Sequence, residues 1–363
     1  MPYRVYVVDD SAIVRQTLIH LLQGDPDLVL MGSAPNPLIA GPVIRRDRPD
    51  VLLLDVEMPG MDGLTFLRQL MAESPIPTVI CSTLGTQGSR VALDALAAGA
   101  VAVVAKPRLG LKQFLEDSRR ELLQALKAAA SARPRAAPRV AGAAGPTPAS
   151  PHAHAPAPAQ GARAAGAVHH ALAVNKPVLI GSSTGGTQAI EAILRALPAD
   201  SPGIAIVQHM PEKFTEMYAR RLDEACAIQV REARDGDRLE RGLALIAPGG
   251  RHLQLRKAAG QYIAVVADGP PVNRHKPSVD VLFRAAAECA GPDALAILLT
   301  GMGDDGARGM KRLHDLGART VAQDEASCVV FGMPREAIRL GAVDHVLPLD
   351  QVAAEILRFD ARG

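Results

Sequence analysis

"VLIGSSTGGTQAI", Val178–Ile190, is the stretch on which the reading of this chain turns. An apolar run leads into it, a Ser/Thr/Gly cluster interrupts, and "TQAIEAILRAL" follows with apolar residues at helical spacing. A strand that turns sharply into a helix N-terminus is the recurring joint of a parallel α/β sheet, and the helix end attracts negative charge. Two chemistries suit such a joint: a cradle for phosphate, or a turn that lifts one serine out as a nucleophile. No Gly-Lys-Ser/Thr follows and GxGxxG is absent, so the cradle lacks both its lysine and its glycines. Gly181-Ser182-Ser183-Thr184-Gly185 does satisfy G-x-S-x-G, in which glycines permit the turn and expose the middle serine.

A serine hydroxyl is a weak nucleophile and needs a base and an orienting acid supplied by other strand ends. His209 ends the apolar run "GIAIVQHM", and Asp304 and Asp305 follow "DALAILLTGMG". His275 in "NRHKPSVD" competes as the base, and either aspartate could orient it. The order Ser, His, Asp differs from the Ser, Asp, His of α/β-hydrolases, so nothing is borrowed from that superfamily.

Outward from the serine turn, "KPVLIGSS", "GIAIVQHM", "LALIAPGG", "DALAILLTGMG" and "RTVAQD" read as strands of a doubly wound α/β sheet. The N-terminal part follows the same logic. "YRVYVVDD", "DVLLLDVEMPG", "PTVICST" and "AVAVVAKP" are strands, separated by amphipathic segments such as "SAIVRQTLIHLLQG", which closes on Gly24. Continuous apolar strands alternating with helices imply parallel sheets covered on both faces. The fold class expected is α/β, with two doubly wound parallel-sheet domains.

Between them, Ser131–Leu172 is dominated by Ala and Pro, with Val140, Val168 and Leu172 its only large apolar side chains. Such a stretch cannot offset the entropy of ordering, and its prolines favour an extended tether. The expected division is residues 1–128, an Ala/Pro-rich disordered linker at 129–172, and a second domain at 173–363. At 363 residues the chain is long enough for two cores.

The net charge is +2, and the linker holds Arg133, Arg135, Arg139 and Arg163 with no acid, so the rest is close to neutral. Without a basic stripe, and with aromatic residues at 3%, nucleic-acid binding is not expected. No run approaches the ~20 apolar residues of a membrane span, and "MPYRVYVVDD" is too short for a signal segment. A cytoplasmic protein without membrane insertion is the expectation. Cys81, Cys226, Cys289 and Cys328 form no CxxC pair, which argues against zinc and redox motifs and for buried thiols.

The first sheet concentrates charge at its strand ends. Asp9 and Asp10 close the first strand, Asp55 ends "VLLLD", Ser82 follows "TVIC", and Lys106 follows "AVAVVA". Carboxylates held together call for a cation, and a hard divalent ion such as Mg2+ suits oxygen ligands. An aspartate beside such an ion and a lysine is equipped to accept a phosphoryl group.

"VVDDSAIVRQTL" (Val7–Leu18), "LLLDVEMPGMDGL" (Leu52–Leu64), "VICSTL" (Val79–Leu84) and "AKP" (Ala105–Pro107) resemble the receiver domain of bacterial two-component response regulators. The resemblance implies a flavodoxin-like fold, Asp55 as phosphoacceptor, Mg2+ held by Asp9, Asp10 and Asp55 with the Glu57 backbone carbonyl, and Ser82 and Lys106 reading the phosphoryl oxygens. A transcription regulator is disfavoured, since no basic recognition helix follows.

"IGSSTGGTQAI", "QHMPEKFT", "APGGRHL", "PSVDVLF", "LLTGMGDDGARGM" and "VAQDEASCVVFGMPREAI" are similar to the catalytic domain of chemotaxis protein-glutamate methylesterases, the CheB family, over about 178–348. This resemblance implies a Rossmann-like esterase domain with Ser183 as nucleophile, His209 as base and Asp305 as orienting acid. It further implies an oxyanion site near the Thr184 and Met302 amides, with His275 left as a helix-approach or groove residue. It implies hydrolysis of γ-glutamyl methyl esters and deamidation of glutamines on a methyl-accepting chemoreceptor's cytoplasmic domain, without a cofactor for the hydrolysis. Phosphate from a chemotaxis-type histidine kinase would relieve the receiver's cover over the esterase site.

Overall fold

The computed structural model describes residues 1–58, 62–83, 86–106, 112–132, 176–212 and 214–361. Most of the Ala/Pro-rich segment, and with it the expectation of a tether, lies outside the described residues.

The N-terminal elements are β1 (Tyr3–Val8), α1 (Ala12–Leu22), β2 (Leu28–Ala34), α2 (Pro37–Arg46), β3 (Val51–Asp55), α3 (Gly63–Glu73), β4 (Thr78–Ser82), α4 (Thr86–Ala97), β5 (Ala102–Ala105) and α5 (Lys112–Ala130). They form a five-stranded sheet in the order β2-β1-β3-β4-β5, parallel throughout. That is the flavodoxin-like winding, whose direction reverses between β1 and β3. Val51 to Leu54 are all buried, which explains their unbroken apolar run, and the strand ends on the buried Asp55. Polar side chains start the helices: Ser11, Asn36 and Asp62 accept from Val14, Ile39 and Thr65 at the heads of α1, α2 and α3.

Helix α5 continues through Ala130, with Ala128 and Ala129 buried, two residues beyond the boundary expected at 128. Alanine is the strongest helix former, so an Ala-rich start to a linker is equally the natural end of a helix.

The C-terminal elements are β6 (Val178–Ser182), α6 (Gly186–Arg195), β7 (Ile204–Gln208), α7 (Phe214–Ala225), β8 (Gln229–Glu232), β9 (Leu243–Ile246), β10 (His252–Ala258) and β11 (Gln261–Ala267). They continue as α8 (Val279–Cys289), β12 (Leu295–Leu298), α9 (Ala307–Asp315), β13 (Arg319–Gln323), α10 (Met333–Arg339), β14 (His345–Leu347) and α11 (Leu349–Ala361). A seven-stranded parallel sheet runs β14-β13-β12-β6-β7-β9-β8. Its winding reverses between β6 and β12, so the crevice beyond the carboxyl ends of these strands is where a ligand belongs.

The sheets are not the whole of the β structure: β10 and β11 form a separate antiparallel hairpin, which the expectation of parallel sheets alone missed. Leu253, Leu255, Tyr262 and Ala264 of the hairpin are buried with Phe283 and Ala286 of α8, so it covers that helix. Cys81 and Cys328 are buried, whereas Cys226 and Cys289 are only partly so. No disulfide joins them among the described residues.

The two domains touch. Gln188 of α6 donates from Nε2 to the Leu96 carbonyl (2.5 Å) and the Ala100 carbonyl (3.3 Å). The Gly185 amide donates to the Val101 carbonyl (3.3 Å), and Arg221 of α7 pairs with Asp94 of α4 at 3.0 Å. Val330 packs into the same apolar cluster as Val101 and Leu122 of the N-terminal domain.

Candidate functional site

Ser183 stands one residue beyond β6, in the turn that starts α6. Gly185 takes φ 79°, and a Cβ there would lie 2.5 Å from Cβ of Val329, so both its backbone and its surroundings require glycine. The turn is tied to its neighbours. The Ser183 amide donates to the Thr300 carbonyl (3.0 Å), and its own carbonyl accepts from Gln208 Nε2 (2.9 Å). His209 follows β7, and its amide donates to the Ser182 carbonyl at 3.1 Å. Ser183, Thr184, His209, His275 and Met302 all line one cavity of about 480 Å³.

Asp305 lies in the loop between β12 and α9 and is buried at the N-terminus of α8. Its Oδ2 meets His209 Nε2 at 2.8 Å and accepts from the Val279 amide at 2.7 Å. Its Oδ1 accepts from Asn273 Nδ2 (2.8 Å), Ser278 Oγ (2.7 Å) and the Asp280 amide (3.3 Å). Burial alone would raise this carboxyl's pKa. The hydrogen bond and charge of His209, joined by Asn273 and Ser278, outweigh it and hold the group well below the usual carboxylate range. Asp304, the other candidate, is exposed and pairs with Arg308 at 3.5 Å, so geometry separates the two aspartates.

An ionised Asp305 surrounded by donors accepts a hydrogen bond from the N–H of His209 Nε2, so the lone pair of the ring lies on Nδ1. That Nδ1 is buried and has no hydrogen-bond partner among the described residues, Ser183 included. The ring is used in the opposite sense from the serine-protease pattern, in which Nδ1 faces the aspartate. The Thr184 and Met302 amides donate to no acceptor among the described residues. His275 is not a rival base in the same position: its ring stacks on His209 with centroids 3.7 Å apart and planes 10° from parallel. The sequence offered no signal for that stacking.

At the first sheet's crevice, Asp9, Asp10 and Asp55 bring carboxylate oxygens within 4.8 Å of one another. Lys106 Nζ lies 2.6 Å from Asp55 Oδ2 and 3.5 Å from Asp9 Oδ2. Burial raises the pKa of Asp9 and Asp55 despite this lysine. Burial works downward on Lys106 itself, but its bond to Asp55 and the charges of Asp55 and Asp9 carry it above its ordinary value. Among the described residues Asp9 Oδ2 is buried and accepts no hydrogen bond, with only the Lys106 ammonium near it at 3.5 Å, and with Asp10 and Asp55 it supplies the oxygen set a hard cation takes, so the residues fit Mg2+. The Glu57 amide donates to Asp55 Oδ1 at 2.9 Å. Ser82 Oγ donates to the Gly88 carbonyl at 3.1 Å, and Thr83 Oγ1 to Glu57 Oε2 at 2.6 Å.

An acid-edged flavodoxin-like sheet joined to a second sheet with serine, histidine and aspartate in one crevice defines a response regulator coupled to a hydrolase-like domain. The sequence model described as response regulator receiver domain matches residues 5–116, and that described as CheB methylesterase matches residues 178–356. The chain belongs to the CheB methylesterase family. It is 54% identical over 358 residues to a protein-glutamate methylesterase/protein-glutamine glutaminase of Dechloromonas aromatica, covering 98% of each chain. To one of Xanthomonas axonopodis pv. citri it is 55% identical over 352 residues, covering 97% of this chain and 99% of that one. The solved Thermotoga maritima CheB methylesterase catalytic domain is 38% identical, covers 50% of this chain and 97% of its own, and superposes with a TM-score of 0.49.

Proposed function

We propose that this chain hydrolyses γ-glutamyl methyl esters of chemoreceptors and deamidates receptor glutamines, with Ser183 as nucleophile, His209 as base and Asp305 as its orienting acid. The observation that carries the reading is the His209–Asp305 contact at 2.8 Å, which leaves a buried Nδ1, without a hydrogen-bond partner among the described residues, on a ring that lines the same cavity as Ser183.

His209 Nδ1 takes the Ser183 proton as Oγ attacks the ester carbonyl. The oxyanion is met by the idle Thr184 and Met302 amides, each such donor being worth about 3 kcal/mol. The proton passes to the departing methoxy oxygen, and methanol leaves. Water then enters and attacks the acyl carbonyl while giving a proton to Nδ1; the acyl–Oγ bond breaks as Nδ1 returns that proton to Ser183 Oγ, and the new glutamate carboxyl group ionises to solvent. With a glutamine side chain the same acyl intermediate forms and ammonia departs.

Control lies at the contact between the domains. The cavity is walled on one side by Val101, Val103, Arg120 and Gln124 of the receiver, and the His209 side chain is only 8% exposed. A receptor helix cannot reach Ser183 while that wall stands. Phosphorylation of Asp55 shifts the equilibrium toward the undocked state, with Ser82 and Lys106 contacting the phosphoryl oxygens. Asp9, Asp10 and Asp55 would hold Mg2+, which when bound neutralises negative charge on the phosphoryl group. A chemotaxis-type histidine kinase and a methyl-accepting receptor are the partners, and the cytoplasm the setting. Among the described residues no helix is long and apolar enough to cross a membrane.

A fluorophosphonate probe tests the reading. Mass spectrometry of the phosphorylated chain locates the adduct on Ser183 if the proposal holds. An unlabelled chain, or an adduct on another residue, contradicts it.

A further inference from the structure

One short turn touches both members of the pair that activates Ser183. The Val272 amide donates to the His275 carbonyl (3.0 Å) and the His275 amide returns to the Val272 carbonyl (2.9 Å). Between them Asn273 and Arg274 take φ 49° and 71°. Two successive left-handed residues make a type I′ turn, a position that favours Asn, Asp and Gly and that arginine rarely occupies. Asn273 Nδ2 bridges Asp305 Oδ1 (2.8 Å) and Asp280 Oδ2 (2.7 Å). At the end of the same turn, the His275 ring lies flat on His209, 3.7 Å between centroids.

Resting on the reading above, we propose that the Val272–His275 turn positions the base: Asn273 pins Asp305, and the His275 ring is a flat platform that fixes the tilt of His209. The bond from Nε2 to Asp305 anchors one corner of the imidazole and leaves it free to rock about that point. A face contact removes the rocking, so Nδ1 is held on one course before substrate arrives, which is the orientation that proximity effects require.

The geometry excludes a relay. Nitrogens of near-parallel stacked rings point along their own planes, so His275 neither accepts a hydrogen bond from His209 nor passes it a proton. The platform also stays neutral. Burial draws the His275 pKa down to about 3, with His209 and Arg274 adding to the pull and Asp305 opposing it. When His209 takes up the serine proton, no second cation lies against its face. Flatness, packing and neutrality are what the role requires, and phenylalanine offers all three.

Full-length His275→Ala, His275→Phe and Asn273→Gly chains, phosphorylated with acetyl phosphate and Mg2+, are compared with wild type for methanol release from methylated receptor. Glycine is chosen at 273 because it keeps the positive φ while removing the amide. His275→Ala is expected to lower kcat about 10- to 100-fold with KM within about twofold, and Asn273→Gly about tenfold. His275→Phe is expected to recover kcat to within about threefold of wild type, a rescue that a need for the imidazole nitrogens would forbid. Thermal melts establish that each chain is folded; should His275→Ala fail to fold, the other two variants carry the test. Wild-type kcat in folded His275→Ala, or a folded His275→Phe with kcat more than about tenfold below wild type, overturns the inference. A wild-type chain that released no methanol would instead overturn the proposed function.

Discussion

Nε2 of His209 and Oδ2 of Asp305 lie 2.8 Å apart, and the same carboxylate is saturated by Asn273, Ser278 and the amides that begin α8. Asp305 therefore stays ionised in a buried place, and its charge fixes which imidazole nitrogen is basic. Replacing it with asparagine keeps the shape but removes the charge that selects the tautomer. Asp305→Asn is expected to lower kcat for methanol release about 10³- to 10⁴-fold with little change in KM. Steady-state kinetics on methylated receptor checks it; a loss under tenfold would deny Asp305 its orienting role.

The same charge makes a prediction about acid stability. The folded-state pKa of Asp305 is depressed, so it stabilises the fold at every pH above its unfolded value of about 3.9. That contribution declines as pH falls below the unfolded value and is gone once the folded carboxyl is itself protonated. Urea melts of wild type and Asp305→Asn should thus show a stability gap at about pH 5 that narrows as the pH falls below about 4. A gap at least as wide at about pH 3 as at about pH 5 contradicts the assignment.

The domain contact should be adjustable by single residues. Gln188 gives two hydrogen bonds to the receiver, and Arg221–Asp94 is a partly exposed pair. Each interaction is worth about 1 kcal/mol or less, which corresponds to at most about a fivefold shift in the docking equilibrium. Unphosphorylated Gln188→Ala and Arg221→Ala are expected to hydrolyse a few-fold faster than unphosphorylated wild type, and to match it once phosphorylated. Unchanged basal rates in the double variant would remove the cover from the account.

Much of this was legible in the residues. The serine turn, the histidine and aspartate at neighbouring strand ends, and the acids of the first sheet all follow from one rule, that α/β crevices lie where strands finish. The choice between Asp304 and Asp305 was not legible from spacing, because both follow β12 and only burial under α8 separates them. β2 escaped because it is a partly exposed edge strand without a clean pattern. The β10–β11 hairpin escaped for a different reason: its buried face is set by packing on α8, which no local periodicity reports. The stacking of His275 on His209 joins residues 66 positions apart through a turn whose φ angles the sequence conceals.

Mg2+ should act on the receiver as a folding ligand. An ion that binds only the folded chain adds about 2.7 kcal/mol at a hundredfold excess over its dissociation constant. Added Mg2+ is expected to raise the receiver's melting temperature in wild type but not in Asp9→Asn, which takes one charge from the three-carboxylate cluster. Equal shifts in both would place the ion elsewhere.

The most direct test of the central claim is methanol release by the phosphorylated Ser183→Ala chain, with incorporation of phosphate at Asp55 measured in the same sample. Phosphorylation is expected to be undiminished, with no methanol above the uncatalysed rate. Methanol released at the wild-type rate from that variant would mean that another group breaks the ester.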